Sequence, residues 1–240
     1  MDTSIKAATN TSTAIKSVMM SPQRKTSLFA GVLYLLTFIS IPTLSLYSSI
    51  HQPDYITSSG SDNAVILAGI LEITVALAGI GTAVVLFPVL KKQSERLALG
   101  LVVSRVLEAS TMFTGVAFLL ADVSLHQTNA GSEALPVSHV LIALYDRIFL
   151  LGQSFMPAIN DLLLGILLYR SRLVPRFLAL IGIAGAIPLI AAYLAVLFGF
   201  MGLHSALAGL AAIPVALFEF SLGIYLVVKG FKTVPGTSRM

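Results

Sequence analysis

Apolar residues in this chain come in long unbroken runs separated by short polar breaks. Six runs stand out: Leu28–Ile50, Ala64–Leu90, Leu97–Ala121, Val140–Tyr169, Arg176–Met201 and Ser205–Lys229. Each reaches the roughly 20 residues that an α-helix needs to cross about 30 Å of hydrocarbon. No alternating segments of about ten residues appear, so a membrane β-barrel is excluded. The pattern predicts an all-α polytopic integral membrane bundle of six transmembrane helices, occupying residues 25–232. Residues 1–24, rich in Ser, Thr, Asn and Lys, read as a disordered cytoplasmic tail, and residues 233–240 as a second tail. The first run is too long for a signal-peptide core, so it belongs to the mature protein.

Composition narrows the class. Of 240 residues, 56% are hydrophobic and only 11% are charged. Mean hydropathy is +0.91. A soluble enzyme or nucleic-acid binder of this size could not bury so much apolar surface. With no cysteine, disulfides, thiolate metal sites and cysteine nucleophiles are excluded, and with no tryptophan the tyrosines must supply most of any interfacial belt.

Charge then sets the orientation. Thirteen of the fifteen basic residues fall on one side of the six runs: in the two tails and in the loops after runs two and four. Arg105 and Arg147 lie inside runs. The positive-inside rule places both termini in the cytoplasm. All four histidines, His51, His126, His139 and His204, then sit at the opposite face with Asp54, Asp62, Asp122 and Glu133. Imidazole and carboxylate suit Zn²⁺ and similar ions, but no pair has metal-motif spacing, so no metal ligand and no cofactor is assigned.

Ionisable groups inside the runs are the candidates for function, because each is costly in hydrocarbon unless paired or hydrated. They are Glu72, Arg105, Glu108, Asp146, Arg147, Asp161 and Glu219. In run four, His139, Asp146, Gln153 and Asn160 recur every seventh residue, and Arg147, Ser154 and Asp161 repeat the step one position on. Seven residues is nearly two turns, so both rows predict one polar stripe. Pro157 interrupts it and predicts a kink or a bound water. At 1.5 Å per residue, Arg105 and Asp161 lie about 12 Å from the cytoplasmic ends, Glu219 about 13 Å and Glu108 about 17 Å. These four are expected to form one layer centred on Arg105. Three acids against one arginine then call for a proton or a bound cation. Runs two and six each carry a seam of mostly small residues with an acid in it: Ala68, Glu72, Ala76, Gly79 and Ala83, and Ala208, Ala212, Ala216, Glu219 and Gly223. Such seams allow close helix approach.

The candidate binding residues are therefore Arg105, Glu108, Asp161, Glu219, Asn160, Gln153 and Glu72, with His139, Asp146 and Arg147 as an outer stripe. No nucleophile motif is present and no catalytic residue is assigned. The best reading is a small carrier, channel-like or ligand-binding bundle handling protons, cations or a small solute. The alternative is a structural or regulatory subunit, homo-oligomeric or with a partner, whose buried ion pairs serve packing. A membrane-embedded enzyme acting on a lipid stands third.

Three segments carry a resemblance. Arg105-Val106-Leu107-Glu108-Ala109, the turn Leu168-Tyr169-Arg170-Ser171-Arg172-Leu173-Val174-Pro175-Arg176-Phe177-Leu178, and Phe218-Glu219 with Lys229-Gly230-Phe231 resemble the bacterial membrane family called domain of unknown function 4386. The likeness covers roughly residues 24–232. It implies a prokaryotic inner-membrane protein and carries no activity with it.

Overall fold

The computed structural model describes residues 20–232, so most of the expected N-terminal tail and all of the C-terminal one lie outside the described residues. Within them every regular element is helical. The main helices are α1 (Pro22–Thr37), α2 (Asn63–Leu90), α3 (Glu95–Gln127), α4 (Leu135–Phe149), α5 (Met156–Ser171), α6 (Arg176–Leu197) and α7 (Ala206–Val228). A π-helical segment, Leu150–Phe155, joins α4 to α5 into one column. Among the described residues, five helical stretches are long and apolar enough to cross a membrane: α2, α3, the column Ser132–Ser171, α6 and α7. Their outward faces carry large exposed apolar side chains, such as Phe177 and Ile187, the kind of surface that a bilayer covers. This is a multi-pass membrane protein.

The first apolar run differs from the expectation. It is not one helix. α1 starts at Pro22, where the Ser21 side chain accepts from the Arg24 amide, and stops after 16 residues at Thr37. A 3₁₀ turn (Phe38–Ser40) and a single helical turn (Thr43–Leu46) follow. Pro42 has no amide to continue the ladder. Thr37 and Thr43 turn their hydroxyls back onto the carbonyls of Tyr34 and Ser40 instead. From there to Asp62 the chain folds as turns, one of them 3₁₀ (Tyr55–Thr57), over one end of the bundle.

The columns close into a ring in the order α1, α2, α3, α4/α5, α6, α7 and back to α1. Small residues set how closely they pack. Any Cβ on Gly31 of α1 would come within 2.7 Å of the Gly223 carbonyl oxygen of α7. All five seam residues of α2 are buried. The α7 seam is less buried, and Ala208, Ala212, Ala216 and Glu219 line a cavity together with Ala76 and Gly79 of the α2 seam.

The ring has a basic end and a histidine-bearing end. At the basic end, Arg24 donates to the carbonyls of Leu226 and Val227, pinning the start of α1 to the end of α7. The Lys232 amide donates to the Leu173 carbonyl (2.8 Å), tying the chain's last described residue to the α5–α6 turn. That turn owes its shape to Arg172, left-handed at φ 56°, and to Pro175, which opens α6. At the other end α3, with 33 residues, and the column Ser132–Ser171, with 40, are longer than a bilayer requires. Their outer turns hold a second core of Tyr47, Ile50, Tyr55, Ile56, Leu119, Val123 and Tyr145 beneath the irregular segment.

Candidate functional site

Three polar clusters line up between the two ends. The innermost centres on Arg105, which lies in the middle of regular α3 and is 4% exposed. Its Nη1 donates to Glu108 one turn on (3.0 Å), and its Nη2 donates to Glu219 of α7. Asn160 of α5 donates to the same Glu108 oxygen (2.7 Å). The Tyr34 ring of α1 faces the guanidinium at 5.8 Å. Helices α3 and α7 are not neighbours in the ring. The Arg105–Glu219 pair therefore spans its interior. Asp161, one residue beyond Asn160, is completely buried, and neither of its oxygens meets a hydrogen-bond donor among the described residues.

Glu72 does not join that layer. It forms a second cluster with neutral donors only. Its Oε2 accepts from the Tyr47 hydroxyl (2.7 Å) and from the Tyr145 hydroxyl (3.4 Å), and its Oε1 accepts from Gln153 (2.6 Å). Gln153 lies within the π segment, and Pro157 stands just past that segment, at the second position of α5. Gly152 within the π segment has no room for a side chain: a Cβ would sit 1.8 Å from the Thr111 hydroxyl of α3.

A third cluster sits at the histidine-bearing end. His51 Nε2 and His204 Nε2 both approach Asp146 Oδ1, at 3.4 and 3.6 Å. His51 also uses Nδ1 on the Tyr47 carbonyl (2.8 Å). The Asp146 contact holds the His51 imidazole above its usual pKa, against the opposing effect of burial. Beside this cluster, Asp62 is bonded by the Tyr55 hydroxyl (2.5 Å) and His126 Nδ1 (2.7 Å), and His126 Nε2 meets the Ser58 carbonyl (2.8 Å). Burial pushes the Asp62 carboxyl up, but the bonds from Tyr55 and His126 help to outweigh it and hold it below the usual range.

A cavity of about 790 Å³ connects the first three clusters. His51 and His204 stand at one end of it, Tyr47, Tyr145, Gln153 and Ser154 along one side, and Arg105, Glu108 and Glu219 at the other end. The rest of the wall is largely apolar, including Val75, Met112, Leu189 and Ala212.

Of the predicted residues, Arg105, Glu108, Glu219 and Asn160 are in direct contact, with Asp161 buried next to Asn160 on α5. Glu72 and Gln153 pair with each other. Asp146 meets two histidines. His139 is exposed with one long contact to the Pro53 carbonyl (3.4 Å), and Arg147 is exposed. The two rows on run four thus do not form one continuous stripe. Sequence reasoning missed Tyr47 and Tyr145 as Glu72 partners. It also missed the meeting of His51, Asp146 and His204, which lie on three separate segments.

The family described as Domain of unknown function (DUF4386) matches residues 29–230. The chain belongs to this family. All the residues of the three clusters fall inside the matched DUF4386 region. No curated protein and no solved structure matches.

Proposed function

We propose that this DUF4386 protein is a small carrier that binds a lipophilic cation in its central cavity. The observation that carries the reading is the cavity itself, which ends on a floor with one guanidinium and two carboxylates. Its size suits a small-molecule site, since such pockets run from about 300 to 1,000 Å³. Its apolar walls suit an apolar body. Its floor favours positive charge: Arg105 can neutralise only one of Glu108 and Glu219, and buried Asp161 adds to the excess. A proton or a cation supplies the balance. In this reading the basic end faces the cytoplasm, all six columns cross the membrane, and solute enters from the histidine-bearing side.

Tetraphenylphosphonium and tetraphenylborate test the sign, being alike in shape and opposite in charge. Equilibrium dialysis of the detergent-purified protein is expected to show saturable binding of the cation, competed by excess unlabelled cation and weakened at least tenfold by Glu219→Gln. Equal or tighter binding of the anion, or no saturable binding of either, overturns the proposal.

A structural reading has one observation of its own, the Arg105–Glu219 pair that ties two non-adjacent helices. Buried pairs can serve to fix packing. On that reading neither probe ion binds, and loss of Arg105 shows up only as loss of stability.

A further inference from the structure

We infer that His51, Asp146 and His204 form a binding site for a divalent transition-metal ion, of which Zn²⁺ is the best-matched type. The three residues come from the irregular segment after α1, from the last turn of α4, and from the loop before α7. Their ligand atoms all lie within 4.8 Å of one another. Two of the separations are already those of a filled site. A tetrahedral ion with bonds of 2.0–2.1 Å puts neighbouring ligand atoms about 3.4 Å apart. The two imidazole nitrogens stand 3.4 and 3.6 Å from Asp146 Oδ1. Only the gap between the two imidazoles needs to narrow or widen on binding, and the exposed His204 side chain is free to make that adjustment.

The second ring nitrogen of His51 supports the assignment. A metal-binding histidine normally donates its other N–H to a carbonyl or carboxylate, which fixes the tautomer and aims the lone pair. His51 Nδ1 meets the Tyr47 carbonyl at 2.8 Å, leaving Nε2 directed at Asp146. Tyr47 in turn bonds Glu72 through its hydroxyl, so the backbone that orients His51 is itself anchored in the bundle. Two imidazoles and one carboxylate are a ligand set of borderline softness, suited to zinc and its neighbours and poor for Ca²⁺ or Mg²⁺.

Three protein ligands leave one tetrahedral position open, the arrangement of zinc sites that exchange a ligand. His51 and His204 both line the cavity, so the site stands at its edge. The metal site does not depend on which solute the cavity takes. Its failure would leave the proposed cation binding untouched, and the reverse also holds.

The test is Zn²⁺ binding to the full-length protein in detergent after chelation and desalting, read as bound metal per chain and as the shift of the unfolding temperature. Wild type is expected to hold one Zn²⁺ per chain and to melt higher with it. His139→Ala, which removes an exposed histidine outside the cluster, is expected to bind as wild type does. His204→Ala and Asp146→Asn are each expected to weaken binding by at least about 100-fold, because losing even an outer-shell partner costs 10–100-fold. Their metal-free melting temperatures show whether they fold. His204 is exposed, so that variant keeps the test open should Asp146→Asn misfold. No stoichiometric Zn²⁺ on wild type overturns the inference. So does binding that survives both His204→Ala and Asp146→Asn, which would make the ion adventitious.

Discussion

Glu72 and Glu219 are carboxylates of neighbouring clusters in one bundle, and their surroundings differ in kind. Glu219 meets a guanidinium that also holds Glu108. Glu72 meets two phenols and an amide, with no cation bonded to it among the described residues. The partners of Glu219 come from regular helix. Those of Glu72 lie on or beside irregular backbone: Tyr47 just past the short helical turn, Tyr145 at the end of α4, and Gln153 in the π segment. The comparison teaches that a bundle can accommodate a buried acid in two ways, by a counter-ion on a straight helix or by bending backbone until neutral donors reach it. The first commits a fixed charge to the site. The second commits only dipoles.

The largest effect is expected at the charged site. Arg105→Met leaves Glu108 and Glu219 buried without their cation, and breaking such a pair costs about 3–5 kcal/mol. Chemical or thermal unfolding in detergent measures it. Adding Glu108→Gln and Glu219→Gln to Arg105→Met is expected to recover most of the loss, since the two carboxylates bonded to the guanidinium are then neutral as well. A small loss in the single variant, or no recovery in the triple one, would mean that the guanidinium is not what holds the layer.

The two sites were not equally legible in the sequence. Depth counting at 1.5 Å per residue groups Arg105 with Glu108 and Glu219 because all three lie within continuous α-helix. The same arithmetic failed above the π segment. A π turn holds more residues than an α turn, so the phase of the column shifts there. His139 and Arg147, upstream, are exposed, while Asn160 and Asp161, downstream, are buried. Two rows that read as one stripe therefore diverge. Tyr47 could not be placed because the break of the first apolar run after Thr37 depends on Pro42 and on hydroxyls that bond locally, features a hydropathy run does not register. His51, Asp146 and His204 were legible as residue types but not as a group, because only the folded loops bring them together.

A smaller effect is expected at Glu72. In Glu72→Gln the remaining carbonyl oxygen still accepts from Tyr47 and Tyr145, and Gln153 can turn its amide over to present oxygen to the new NH₂. The expected loss is about 1 kcal/mol or less, the range of a single neutral hydrogen bond. Unfolding measurements run beside the Arg105→Met series compare the two directly. A cost near that of Arg105→Met would erase the distinction, because it would show that Glu72 depends on carrying charge.

The smallest effect belongs to Asp62, a carboxylate at the rim that also relies on hydrogen bonds from Tyr55 and His126. It extends the comparison into solvent, where acid can reach the group. Its folded-state pKa lies below the unfolded value, because the bonds it accepts outweigh its burial. A lowered carboxyl pKa contributes stability that is fully present above the unfolded pKa, about 3.9, and is lost as pH falls through the lower folded value. The melting temperature of wild type is therefore expected to decline more than that of Asp62→Asn once the pH drops below about 4. The irregular segment from Tyr47 to Asp62 should loosen first, read as protease cleavage there before global unfolding. If the two proteins lose stability in parallel below pH 4, the rim carboxylate is held by packing of the Tyr55 and His126 rings, whose centroids lie 4.8 Å apart, and not by its charge.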